Sequence, residues 1–179
     1  MSELVKIRKF MDIPLTGAFD INLEPISKVE SLFTSANEDF VGFCVLWRLH
    51  LVGNSGTYWL SAHSLEKYFK ARLIQINPND NIKKYGHNLI TLWETLCKID
   101  SFTAIANPLV YDQFIIDTNQ INMSVRYSET GSIISQQFFY LYCLLCTAIR
   151  YKLLEQMPNR AKENYGLGTI GAENMLPEY

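Results

Sequence analysis

Apolar residues return at intervals of three and four along most of this chain, in five stretches separated by turn-forming residues. That period belongs to helices that bury one face, and no stretch alternates in the way a half-buried strand requires. The first stretch starts near Ser27, runs to about Leu51 and carries Val29, Phe33, Ala36, Phe40, Phe43 and Leu46. Gly53-Asn54-Ser55-Gly56 marks a tight connection. The second, from about Thr57 to Ile76, aligns Tyr58, Ala62, Leu65, Phe69, Leu73 and Ile76, with Glu66, Lys67 and Lys70 off that face. Pro78 and its Asn and Asp neighbours end it. Asn88 is suited to cap a third helix through Leu89, Leu92, Trp93 and Leu96. Pro108 is suited to open a fourth toward Val125, with Leu109, Phe114, Ile115 and Ile121 as its apolar positions. Residues Ser128 to Gly131 break the pattern before a last helix, from about Ser132 to Met157, built on Ile134, Phe138, Leu141, Leu145 and Ala148. Consecutive helices on short connections predict an all-α, up-and-down bundle of four or five helices.

The 179 residues suit one domain, and a chain of this size buries enough surface to fold without disulfides or metal. The expected division is an extended N-terminal segment at 1–24, the bundle at 25–158, and a glycine-containing, flexible tail at 159–179. A formal net charge of −2 excludes a general attraction to nucleic acid or anionic membrane, so such a site has to be a local patch. The longest apolar run, Phe138 to Ile149, falls short of the roughly 18–20 residues that span a bilayer, and no secretory apolar region opens the chain. Cys44, Cys97, Cys143 and Cys146 each stand among apolar residues, which predicts small buried hydrophobes in a reducing, cytoplasmic setting. Cys143-x-x-Cys146 lacks a second ligand pair, so core packing is preferred to zinc. Gly166-x-Gly168-x-x-Gly171 neither follows a strand nor opens a helix, and no P-loop or other cofactor motif is present. No cofactor and no metal are expected.

Three segments, taken in order, resemble the HEPN family. They are Ala62-His63-Ser64-Leu65-Glu66-Lys67-Tyr68-Phe69-Lys70-Ala71, then Tyr85-Gly86-His87-Asn88-Leu89-Ile90-Thr91-Leu92, then Ile121-Asn122-Met123-Ser124-Val125-Arg126-Tyr127-Ser128-Glu129. The resemblance spans about residues 27–155. It implies a helical bundle that often forms a homodimer around the start of its last helix. Members of the family include toxin-type ribonucleases, partners of minimal nucleotidyltransferases, and binding modules without catalysis. The ribonucleases carry a histidine four to six residues after the motif arginine. Here Arg126 is followed as far as Ile134 by no histidine, which weighs against nuclease activity.

RNA cleavage without metal needs a base for the 2′-hydroxyl and a cation for the phosphate. Arg126 is the candidate cation, and its ordinary reading is pairing with Glu129 or capping of its own helix. His87 is the substitute base, against a local hydrogen-bonding role at a helix start. His63 and His50 read as packing or boundary residues, with His63 a further possible base. Glu66, Lys67, Lys70 and Arg72 form either a phosphate-binding stripe or a solvated charged face with an i,i+4 pair. Lys83-Lys84-Tyr85 mixes charge with a ring, as single-strand sites do, although two loop lysines are commonplace. The expected ligand groove therefore gathers Arg126, Tyr127, Glu129, His87, Lys67 and Lys70. Its partners are RNA, a nucleotide or a protein such as a nucleotidyltransferase. A divergent ribonuclease and a purely structural interaction bundle are the alternatives.

Overall fold

The computed structural model describes residues 27–49, 55–100, 108–127 and 134–157. The expectations for segment 1–24, the break at 128–131 and the tail at 159–179 lie outside the described residues, as does His50. Among the described residues 86% are helical and none is a strand, which establishes the all-α bundle. The helices are α1 (Lys28–Arg48), α2 (Ser55–Ile76), α3 (Leu89–Ile99), α4 (Pro108–Tyr127) and α5 (Gln136–Glu155), with a 3-10 turn at Ile82–Tyr85.

Local chemistry sets where these helices start. Ser27 Oγ accepts from the Glu30 amide at 3.1 Å while Glu30 Oε2 accepts from the Ser27 amide at 2.9 Å. This reciprocal pair satisfies two amides that α1 leaves without intrahelical partners. Asn88 caps α3 by accepting from the Thr91 amide, and Pro108 stands first in α4. The last helix begins later than its apolar period suggests. Ile134 and Ser135 are not helical, and Ser135 caps α5 by accepting from the Phe138 amide.

Helix α2 lies at the centre and packs against all four others. It is buried on nearly every side, and small residues (Ser61, Ala62, Ser64, Ala71) let its neighbours approach. Buried hydroxyls are kept satisfied: Ser61 donates to the Tyr58 carbonyl, and Ser64 bonds Tyr142 Oη at 2.6 Å. Around it the core is aromatic. Trp47 stacks on Phe139 at 4.4 Å, and Phe43 meets Tyr142 at 4.3 Å. Each such side chain, fully buried, contributes roughly 1.5–3 kcal/mol from surface removed from water.

Paired residues give the direction of each helix. Gly42 faces Leu60 and Asn37 bonds Tyr68, so α1 and α2 run antiparallel. Between α2 and α3 the pairs Glu66–His87, Phe69–Trp93 and Arg72–Asp100 advance together. The connection 77–88 thus runs back along α2 before α3 starts, and α3 lies beside α2 in the same sense. The alternation resumes with α4.

Two expectations need correction. Glu66 and Arg72 are buried, at 4% and 6% exposure, so this side of α2 is not a solvated charged face. Cys97 is exposed, whereas Cys44, Cys143 and Cys146 are buried. Cys97 follows Leu96 on α3, and with Leu89, Leu92, Trp93 and Leu96 turned to the core its own position falls outside that arc.

Candidate functional site

The polar residues of α2 form a ladder with a flank on each side. His63, Glu66, Lys67 and Lys70 follow at steps of three, one and three, which keeps them on one side of a helix. On the flank toward the 3-10 turn, the buried Glu66 carboxylate accepts from Lys70 Nζ at 2.7 Å and meets His87 Nδ1 at 3.0 Å. Lys70 also donates to the Gly86 carbonyl at 2.5 Å. Gly86 has φ +55°, a left-handed conformation that suits a residue without a side chain. The His87 loop is thereby held against α2, yet 58% of the His87 side chain remains exposed.

On the opposite flank, Lys67 Nζ donates to Asp39 Oδ2 and to Ser35 Oγ, each at 2.7 Å. His63 Nδ1 approaches the same Asp39 oxygen to 3.0 Å, but without the alignment of a hydrogen bond. The Trp59 ring, partly exposed, covers the His63 imidazole at 4.3 Å. Burial tends to raise the Asp39 carboxyl, but His63 and Lys67 outweigh it and hold the group below the ordinary carboxylate range. Asp39 is therefore ionised at neutral pH, and Lys67 Nζ is shared between its carboxylate and Ser35 Oγ.

Lys67 and Lys70 are thus each committed to a carboxylate, and the ladder balances Lys67 and Lys70 against Asp39 and Glu66. A phosphate arriving here competes with those carboxylates. The Lys83-Lys84-Tyr85 segment is also engaged. Lys84 pairs with Asp80 at 2.6 Å, and Tyr85 donates to Asp80 at 2.9 Å. Tyr85 is only 8% exposed, so its ring is not a platform for a base.

Two polar rungs fix α3 against α4. Trp93 Nε1 donates to Asp112 Oδ1 at 2.6 Å, and the Leu89 amide donates to Asn119 Oδ1 at 3.0 Å. Stepping back along α3 therefore steps forward along α4, and the Gly86–Asn88 loop lies beside the second half of α4. Asn122, one turn past Asn119, is buried with its Oδ1 unpartnered. Arg126 and Tyr127 occupy the last turn of α4, about 10 Å beyond Asn119 at 1.5 Å per residue. The carbonyl end of a helix favours a guanidinium, which is the ordinary reading of Arg126. The side chains of Arg126 and Tyr127, and all of Glu129, lie outside the described residues.

The remaining chemistry is closed off. Cys143 is pushed up by its hydrogen bond with Cys44 and by burial, and Cys146 by burial, so these thiols stay protonated and inert. Among the described residues no group of three or more His, Cys, Asp or Glu is arranged to hold a metal. No helix among them is long and apolar enough to cross a membrane. A shallow groove of about 450 Å³ separates the start of α1 from the ends of α2 and α5, and none of the sequence-nominated residues lines it. The residues that sequence reasoning missed are Ser35, Asp39 and Trp59. Their signal was present as two ladders of i,i+4 spacing, Ser35/Asp39 and Trp59/His63/Lys67, but nothing local says that the ladders meet. Comparison of the chain with family models, curated proteins and solved structures finds no match.

Proposed function

We propose that this chain is a HEPN-like binding module that holds an RNA strand or a nucleotide without cutting it. The site is the edge shared by the His87 loop and the end of α4 that carries Arg126. The observation that carries this reading is the α3–α4 register, because the Leu89–Asn119 rung brings those two motif segments to one edge of the bundle. The absence of histidine between Arg126 and Ile134 leaves binding, rather than cleavage, as the activity of that edge. Arg126 supplies the phosphate contact, since a guanidinium takes two phosphate oxygens at once and does not lose its charge. Tyr127, Glu129 and His87 complete the edge, and Lys70 supports it through the Gly86 carbonyl, whereas Lys67, bonded to Asp39 and Ser35 on the opposite flank, drops out of the expected groove. A homodimer, and a nucleotidyltransferase as protein partner, belong to the same reading through the resemblance.

A divergent ribonuclease is the second reading, and one observation favours it. His87 Nδ1 is hydrogen-bonded to Glu66 at 3.0 Å, the arrangement that orients an imidazole to act through its other nitrogen. Metal-free incubation with labelled mixed-sequence RNA separates the two. The binding reading predicts retention of intact RNA by the native chain and at least tenfold weaker retention by Arg126→Ala. Cleavage lost in Arg126→Ala and in a histidine variant overturns it in favour of the nuclease. Equal retention by both proteins removes Arg126 from the site.

A further inference from the structure

The His87 ring has one nitrogen committed and one free. Nδ1 lies 3.0 Å from each oxygen of the Glu66 carboxylate. A carboxylate has no proton to give, so Nδ1 is the donor in this pair. In the neutral ring the proton is thereby fixed on Nδ1, and Nε2 carries a lone pair and accepts. Glu66 is 4% exposed and is also bonded by Lys70 Nζ at 2.7 Å, so the group that sets the tautomer is itself held in place. Nε2 makes no hydrogen bond among the described residues, and most of the side chain is exposed. The backbone around the ring is fixed as well. Lys70 Nζ donates to the Gly86 carbonyl, the Asn88 amide to the Tyr85 carbonyl at 3.1 Å, and the Leu89 amide to Asn119 Oδ1. An acceptor is therefore presented to solvent in a set position, and little ordering is left for a ligand to impose.

The sugar–phosphate backbone of a nucleic acid offers that acceptor one kind of donor. Phosphate and sugar-ring oxygens only accept, whereas the ribose 2′-hydroxyl also donates, and it is the group by which a protein tells RNA from DNA. We propose that His87 Nε2 accepts a hydrogen bond from a ribose hydroxyl of the bound strand, with Glu66 as the positioning residue that keeps Nε2 an acceptor. His87 is then a specificity residue that selects ribose over deoxyribose, not a further phosphate contact. The inference rests on the binding edge of Arg126 and His87 and adds the feature of the strand that the edge reads. A guanidinium on a phosphate is indifferent to the sugar. Base N–H groups also donate, but they are the same in two strands of one sequence, so a change of sugar alone isolates the hydroxyl. A protonated imidazole donates from Nε2 to a phosphate of either strand, which separates that role from this one.

The test measures retention of one labelled sequence by the full chain, as RNA and as its 2′-fluoro counterpart. The fluorinated strand keeps an RNA-like sugar pucker and has no hydroxyl to donate. The assay runs at about pH 8, on the alkaline side of the range in which an imidazole ordinarily titrates. The native chain should hold the RNA about two- to tenfold more tightly, the worth of one neutral hydrogen bond. In His87→Phe, a change at an exposed side chain, the ratio of the two affinities should fall to one. Glu66→Gln, whose amide can donate to Nδ1 and so move the ring proton to Nε2, should lower the same ratio. The ratio is read within each protein, so a general loss of affinity does not enter it. Equal retention of the two strands by the native chain, or a preference that persists in His87→Phe, overturns the inference. If that equal retention is lost in Arg126→Ala, the inference alone has failed and the edge stands. If neither strand is held, or Arg126→Ala holds both as the native chain does, the edge fails and takes the inference with it. Cleavage of the RNA overturns both.

Discussion

Two arginines of this bundle are buried to almost the same degree, and their surroundings differ completely. Arg72 at 6% exposure donates from Nε to Asp100 Oδ2 at 2.5 Å, from Nη2 to Asp100 Oδ1 at 3.2 Å, and from Nη1 to Gln75 at 2.6 Å. Gln75 passes the connection on to the Leu153 carbonyl of α5 at 2.9 Å. Arg150 at 7% exposure lies over the Phe40 ring, and its Nε has no acceptor among the described residues. The first arginine closes a network that ties the end of α2 to the end of α3 and to α5. The second makes no hydrogen bond that ties one helix to another among the described residues. Burial alone therefore does not tell whether a charge is structural; its partners do.

The comparison breaks most visibly at the Arg72 pair. Arg72→Met takes the cation away from a buried carboxylate and should cost about 3–5 kcal/mol, read as a lower urea midpoint. The double variant Arg72→Met/Asp100→Leu should recover much of that loss, because cation and carboxylate leave together. A cost below about 1 kcal/mol for the single variant would show that water reaches the pair.

Arg150→Met should act in the opposite direction. It removes a buried cation that has no carboxylate partner among the described residues and keeps the apolar stem, so a gain on the order of 1 kcal/mol is expected in the same assay. A loss of several kcal/mol would put Arg150 in the same class as Arg72 and end the contrast.

The Asp39 rung gives a smaller and pH-dependent effect. Its folded pKa lies below the ordinary aspartate value of 3.8, so its contribution is fully present above that value. The contribution is lost as pH falls through the folded pKa. Asp39→Asn should cost about 1 kcal/mol at neutral pH and flatten part of the acid limb of the stability curve below about pH 4. An unchanged acid limb would assign that limb to other carboxylates such as Asp80, which Lys84 and Tyr85 hold low despite its burial.

Gly42→Ala should give the smallest change. The new Cβ would lie 3.4 Å from Leu60 Cδ1, the end of a side chain that can adjust, and alanine is the better helix former. A gain of about 0.5–1 kcal/mol is expected in thermal unfolding. A loss would mean that α1 and α2 are packed too tightly there to yield.

The helices were legible because their determinants are local. Ser27, Asn88 and Pro108 announced three starts, and the apolar periods picked out Phe33, Phe40, Phe69, Leu92 and Leu145 as core. The α5 start was misplaced because Ser132 and Ser135 are both possible caps, and the period between them does not choose. The charge on α2 was misjudged for a different reason. Glu66 and Arg72 look like surface residues within their own helix, and their partners His87 and Asp100 come from elements that return to α2 later in the chain. For the candidate edge, the motif segments were readable and their meeting was not, since it depends on how α3 and α4 are staggered.

By itself, then, the sequence determined which stretches are helical, the starts at Ser27, Asn88 and Pro108, and most of the apolar arcs that the helices bury. These follow from a hydrogen-bond pattern that reaches four residues and a side-chain period of 3.6. Only the tertiary structure decided that α3 lies alongside α2, that Asp39 meets Lys67, that Arg72 has a counter-charge and that Arg150 has none among the described residues. Those outcomes depend on the rotation and stagger of one helix against another. Close packing of side chains from distant segments sets both, and no local window of sequence contains that information.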